Sequence, residues 1–74
     1  MTLPDTPTTF ATAVRERRRE LGLTQQEVAD VIGVNRRVIG QLESGKSTVQ
    51  LRIALEAARA VGLDLRLEPR GQAR

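Results

Sequence analysis

Between Pro7 and Val61 the apolar residues return every three or four positions, the spacing of a helix that buries one side, and beyond Gly62 they alternate one for one with charges, the spacing of a strand. The first helix is predicted to start at Thr6-Pro7, an N-cap followed by proline at the first helical position, and to run to about Leu21. Its inward stripe is Phe10, Ala13, Val14 and Leu21, and Arg18 falls on that same stripe. Thr24 and Glu27 form the S/T-x-x-E capping box that opens a second helix, with Val28, Ala29 and Ile32 inward and Gln25, Gln26 and Asp30 outward. Gly33 ends it, and Asn35 caps a third helix from Arg36 to about Ser44. In that helix Ile39 and Leu42 face inward, with Val38 at their edge. After Gly45, Lys46-Ser47-Thr48 reads as a polar loop whose hydroxyls can cap a last helix with the stripe Leu51, Ala54, Leu55, Ala58 and Val61, closed by Gly62.

Leu63, Leu65 and Leu67 then alternate with Asp64, Arg66 and Glu68 until Pro69 stops the pattern, which predicts a half-buried strand over 63–68. Nowhere else does the chain carry a second strand pattern. A lone strand leaves its amides and carbonyls unpaired, so this one is expected to pair with the same strand of another copy, in an antiparallel ribbon across a two-fold axis. The alternative is an irregular tail whose leucines merely cover the helices. The fold class expected is therefore all-α, four to five helices forming a helix-turn-helix domain, with one C-terminal β-strand that makes an intermolecular two-stranded ribbon in a homodimer. Residues 1–6 are expected to be a flexible leader, 7–68 the domain and 69–74 a flexible tail.

The third helix carries the candidate chemistry. Arg36, Arg37, Gly40 and Gln41 fall opposite its apolar face. Arginine donates two hydrogen bonds to guanine O6 and N7, and glutamine pairs with adenine N6 and N7, so these side chains suit readout in a major groove. Two adjacent arginines on a helix are also what a merely solvated face looks like; the two-helix unit around them shifts the balance to DNA. Gly40 stands out, because glycine in a helix costs about 1 kcal/mol relative to alanine, and it can let the backbone approach a base edge or phosphate.

Composition narrows the classes further. With 74 residues the chain is one domain, and a core of that size rarely supplies more than about 3 to 5 kcal/mol alone, which favours an oligomer or a partner. The net charge is +3, and eleven of the twelve basic residues are arginine, the side chain suited to bidentate phosphate and guanine contacts. There is no cysteine and no histidine, so disulfides, thiolate metal sites and the usual nucleophile–base pairs are excluded. No catalytic residue, metal site or cofactor is assigned, and an enzyme is not expected. Neither a membrane-length apolar run nor a signal peptide is present, consistent with a cytosolic protein.

The run TQQEVADVIGVNRRVIGQLESGK resembles the Cro/lambda-repressor-type, or XRE, helix-turn-helix family, whose members show T-Q-x-E-L/V-A-x-x-x-G-V and I-x-x-L/I-E-x-G-K at these spacings. The continuation GKSTVQLRIALEAARAVGLDLRLEPR resembles the HipB-like antitoxins, in which a last helix is followed by a strand that pairs between subunits. Together the resemblance covers roughly Pro7 to Arg70. It implies that Arg36, Arg37 and Gln41 touch base edges, that Gln25 meets a phosphate at a helix start, and that Asn35, Ser44, Lys46 and Ser47 hold the DNA backbone. Gly40 departs from the pattern, since many relatives keep a larger side chain there. Leu63, Leu65 and Leu67 take the dimerisation role. The family pattern also pairs an arginine at position 18 with the glutamate at 43; the alternative, Arg18 snorkelling to solvent beside Arg15, Arg17 and Arg19, is disfavoured because a buried charge without a partner is costly.

The resemblance implies a dimeric repressor of its own operon that binds a palindromic operator on double-stranded DNA, works at the bacterial nucleoid, and neutralises a HipA-like kinase toxin. A stand-alone XRE regulator without a toxin, and an interaction module that does not bind DNA, are the alternatives. The intact Arg36, Arg37 and Gln41 speak against the second.

Overall fold

Four helices follow one another in the computed structural model, which describes residues 6–71: α1 over Pro7–Glu20, α2 over Gln25–Ile32, α3 over Arg36–Glu43 and α4 over Leu51–Ala60. Most of the expected leader and the end of the expected tail, residues 1–5 and 72–74, lie outside the described residues. The helix starts follow from local chemistry. Thr6 and Thr9 cap α1 reciprocally, each side chain bonding the other's backbone amide at 3.1 Å. Thr24 and Glu27 do the same for α2, at 3.0 Å to the Glu27 amide and 2.8 Å from the Thr24 amide.

A small core holds the helices. Ile39 of α3, Val14 of α1, Val28 of α2 and Val61 after α4 are its largest fully buried side chains, joined by Ala29, Leu42, Ala57 and Ala58. α2 packs on both α3 and α4, and α1 packs on α3, so the α2–α3 pair is supported from two sides. Alanines at the centre of the α2 and α4 faces permit this close approach, because a small side chain brings the backbones together.

Several expectations need correction. α1 ends at Glu20, and Leu21, expected inside, is 45% exposed, while Ala11 is buried instead. Leu21 is the C-cap of α1, its amide bonded to the Arg17 carbonyl at 3.1 Å, and the chain then turns back so that Leu23 rather than Leu21 packs against the core. Ser47 and Thr48 do not cap α4. Its N-cap is Gln50, which makes no side-chain cap bond. Leu51, expected on the inward stripe of α4, is 71% exposed, and the buried positions are Ile53, Ala57 and Ala58. α4 is apolar on more than one side, so spacing alone did not identify which face would be covered.

No strand occurs among the described residues; the segment 63–69 runs on without regular structure. A strand is stabilised by hydrogen bonds to a neighbouring strand, and a single copy of this chain offers none. Leu63 packs at the margin of the core, Leu65 is half exposed and Leu67 is 93% exposed.

The core makes a simple demand on stability. Ile39→Ala is expected to lower unfolding free energy by about 2 to 5 kcal/mol in chemical denaturation, because it opens a cavity where all four helices meet the core. Val31→Ala, on the exposed side of α2, is expected to stay within about 0.5 kcal/mol of the parent.

Candidate nucleic-acid interface

The turn between α2 and α3 is built from backbone constraints. Gly33 adopts φ 75°, and the Val34 amide returns to the Ala29 carbonyl at 3.0 Å, closing α2. Two residues later the Asn35 Oδ1 accepts the Arg37 amide at 2.8 Å, so α3 starts at once and its first turn carries Arg36 and Arg37 into solvent. Ile39, Leu42 and Glu43 are buried, and Gly40 and Gln41 are half-buried. At the far end Ser44 donates its hydroxyl to the Gln41 carbonyl at 2.8 Å, and the Lys46 amide donates to the same carbonyl at 3.1 Å. This leaves the Lys46 and Ser47 side chains exposed just past α3. Gly45 is required there, with φ 86° and space for a Cβ only 3.3 Å from Thr8 Oγ1.

Behind α3 lies a buried ion pair. Arg18 donates from Nε to Glu43 Oε2 at 2.7 Å and from Nη2 to Oε1 at 2.9 Å, a two-pronged contact, and its Nη1 reaches the Leu23 carbonyl at 2.8 Å. Gln25, at the start of α2, donates its amide to Glu43 Oε1 at 3.1 Å and accepts Arg36 Nη1 on its own Oε1 at 2.9 Å. A chain of polar contacts thus runs from α1 through the end of α3 and the start of α2 to an exposed arginine. Gln25 was expected to face away from the protein. It is half-buried with both ends of its amide engaged.

Burial pushes the Glu43 carboxyl up, but the hydrogen bonds from Arg18 and Gln25, with the charges of Arg18 and Arg15, outweigh it and hold the group below its ordinary value. Its partner Arg18 is raised, chiefly by the hydrogen bond to Glu43. No buried polar side-chain atom among the described residues lacks a partner, so the pair is fully satisfied.

Gly40 has no steric cause within the chain. A Cβ there would meet Gln25 Oε1 at 3.7 Å, an ordinary contact, so alanine would fit the helix. Leu65 and Leu67 line a groove of about 500 Å³ with Phe10, Leu42, Val49, Leu51, Ala54 and Leu55, and Lys46 and Ser47 line it as well, so it adjoins the polar end of α3. The sequence pattern assigns Arg18 a partner but gives its neighbour Arg17 no role. Arg17 has one: its Nε donates to the Val61 carbonyl at 3.1 Å, tying α1 to the end of α4, and its Nη1 meets Glu20 at 3.3 Å. Helical spacing could not reveal this, because the partner lies on an element far along the chain. Among the described residues no group of His, Cys, Asp and Glu could hold a metal ion, and no helix is long and apolar enough to cross a membrane.

Two short helices around a glycine turn, the second with two exposed arginines and a polar edge, define a helix-turn-helix protein. The family model for the helix-turn-helix matches residues 14–67, and the chain belongs to that family. It is 49% identical over 51 residues to an HTH-type transcriptional regulator of Methanothermobacter thermautotrophicus, covering 69% of this chain and 74% of that one. With the HTH-type transcriptional regulator y4mF of Sinorhizobium fredii it shares 36% identity over 69 residues, 93% of this chain and 91% of the relative. Among solved structures, a chain of the HipB-O4 20mer complex superposes with a TM-score of 0.85 at 24% identity, covering 95% of this chain and 99% of that one. A chain of the HipA-HipB-O2-O3 complex gives the same TM-score, identity and coverage. The likeness to these structures is one of fold. The names of the relatives are those of regulators, not enzymes.

Glu43→Ala is expected to cost about 3 to 5 kcal/mol of stability, since it leaves Arg18 buried without its counter-charge. Because the Glu43 value is lowered on folding, its stabilising contribution is complete above the unfolded carboxylate value of about 4.3 and is lost as pH falls through the lower folded value. Unfolding midpoints measured from pH 7 down to pH 2 should therefore show a low-pH loss in the parent that shrinks in Glu43→Gln.

Proposed function

We propose that this chain is a sequence-specific DNA-binding repressor that acts as a homodimer on a palindromic operator of its own operon, with residues 7–68 as the functional unit. The carrying observation is α3: its first turn presents Arg36 and Arg37 to solvent while Ile39 and Leu42 lock its other side into the core. Arg36, Arg37 and Gln41 take the base-reading role, and Asn35, Ser44, Lys46 and Ser47 surround them as contacts to the DNA backbone. Gln25 belongs to the same backbone set, and its bond to Arg36 favours a shared approach to one phosphate and its neighbouring base. In a dimer two copies of α3 would enter successive major grooves about 34 Å apart.

In this reading Leu63, Leu65 and Leu67 form the subunit ribbon, and the groove that Leu65 and Leu67 line with α4 is covered by the second copy. The finer assignment is an antitoxin that represses from the nucleoid in the cytoplasm and neutralises a HipA-like kinase toxin. It draws on the fold shared with chains solved in a HipA-HipB assembly and on the sequence pattern beyond Gly45. A regulator with no toxin is favoured by the plain regulator names of the relatives. Co-expression with the product of the adjacent open reading frame, followed by a growth and pull-down assay, separates the two: a toxic kinase that this chain rescues and binds supports the antitoxin, and its absence supports the regulator.

In a competition gel-shift with the protein's own promoter, Arg37→Ala or Gln41→Ala is expected to lose about 1 to 3 kcal/mol and to relax preference at individual base pairs. Lys46→Ala is expected to weaken all sequences alike and to lower the salt slope by about one unit. Unchanged base preference in both recognition-helix variants would show that α3 is not the reading element.

A further inference from the structure

The charges between the three terminal leucines carry information that the apolar alternation does not. Asp64, Arg66 and Glu68 are exposed, and none has an ion-pair partner among the described residues. Leu65 and Leu67 stand half and almost fully exposed at the edge of an apolar groove. In an antiparallel ribbon, residues directly opposite each other point to the same face, so leucine must oppose leucine, and only registers centred on a residue, with odd facing odd, keep the two faces distinct.

Registers centred on Leu63 or Leu67 pair only three residues before Val61 or Pro69 is reached, which leaves three longer ones, centred on Asp64, Leu65 and Arg66. Centred on Asp64, the ribbon would place Asp64 against its own copy. Centred on Arg66, it would place Arg66 against its own copy and Asp64 against the partner's Glu68, three like-charge oppositions in all. Parallel pairing in register would likewise set each charge beside itself. Like charges directly opposite destabilise a ladder, and opposite charges support it. Centred on Leu65, Asp64 faces the partner's Arg66 and Arg66 faces the partner's Asp64, Leu63 faces the partner's Leu67, and Leu65 meets its own copy. The ends also fit, because Gly62 then opposes Glu68 and the ribbon stops before Pro69, which has no amide to donate.

We propose that the occupant of the groove is a second copy of this chain joined by a ribbon centred on Leu65, with register and partner choice set by two reciprocal Asp64–Arg66 pairs on its outer face. The proposal rests on the ribbon dimer put forward above and adds its register and its specificity: a chain with a different charge order at 64 and 66 is a poor partner. Leucines drive the association, and the charges decide the alignment.

The test uses the full chain. Asp64→Arg alone and Arg66→Asp alone each convert both pairs into like-charge oppositions, and each homodimer is expected to dissociate about tenfold more readily than the parent in sedimentation equilibrium. Mixed in equal amounts, they restore two opposite-charge pairs, because the arginine introduced at 64 faces the aspartate introduced at 66, so native mass spectrometry should show mostly heterodimer. Cysteine scanning gives a second readout in a chain with no cysteine of its own. Leu65→Cys is expected to form an interchain disulfide on mild oxidation, whereas Asp64→Cys and Arg66→Cys are not. A parent dimer whose variants mix at random, or which cross-links at 64 or 66 rather than 65, overturns the register and leaves the ribbon dimer standing. A parent that sediments as a monomer at every concentration overturns both.

Discussion

Arg18 crosses from α1 to the end of α3 and holds Glu43 with two hydrogen bonds from one guanidinium, in a place water does not reach. Removing two charges from water is costly, and a hydrophobic pair of equal volume would serve stability as well or better. What a hydrophobic pair would not do is fix direction. The fork of Arg18 accepts one orientation of the carboxylate, its third nitrogen holds the Leu23 carbonyl, and the remaining capacity of Glu43 is taken by Gln25. The end of α3, the turn after α1 and the start of α2 are thereby set relative to one another. The exposed face of α3 inherits its orientation from that arrangement.

The polar chain continues to the surface through Gln25 and Arg36. This gives the first exposed arginine of α3 a defined direction before any ligand arrives, at a point where a long side chain would otherwise sample many rotamers. The side chains of Arg37 and Lys46 have no such support among the described residues, yet both project from well-capped backbone. A site of this kind combines one oriented cation with others that adapt. That division suits an interface in which some contacts select a base and others follow the phosphate backbone.

The same economy of size shapes the other side of the molecule. Among the described residues ten apolar side chains are buried, seven of them alanine or valine, and Leu51, Leu65 and Leu67 remain uncovered. α4 accordingly serves two surfaces, with Ile53 and Ala57 on the core and Leu51, Ala54 and Leu55 on the groove. Uncovered leucines grouped beside a groove mark a surface that interacts. The groove is not separate from α3, since Leu42 of that helix and Lys46 and Ser47 just past it line the groove together with α4.

Local signals in the sequence determined where helices begin and end. Thr24 with Glu27, Gly33, Asn35, Gly45 and Gly62 each act within four residues of chain, so caps and left-handed turns could be read without knowing what packs where. The helical period likewise determined Val14, Val28, Ile39 and Leu42 as core, because each lies on the middle of a single apolar stripe. Tertiary structure decided everything that depended on a choice between faces or on a distant partner. Leu21, at the C-cap of α1, gave its place against the core to Leu23 beyond the turn, and α4, apolar on two sides, buried Ile53 and Ala57 rather than Leu51. The stripe marked Arg18 as a charge in need of a partner, and Gln25 as an outward polar residue. Only the approach of α3 to α1 and α2 put Glu43 within reach of both, and only the position of α4 put the Val61 carbonyl within reach of Arg17. The strand pattern of 63–68 stands apart, since its hydrogen-bond partners lie in no part of a single chain.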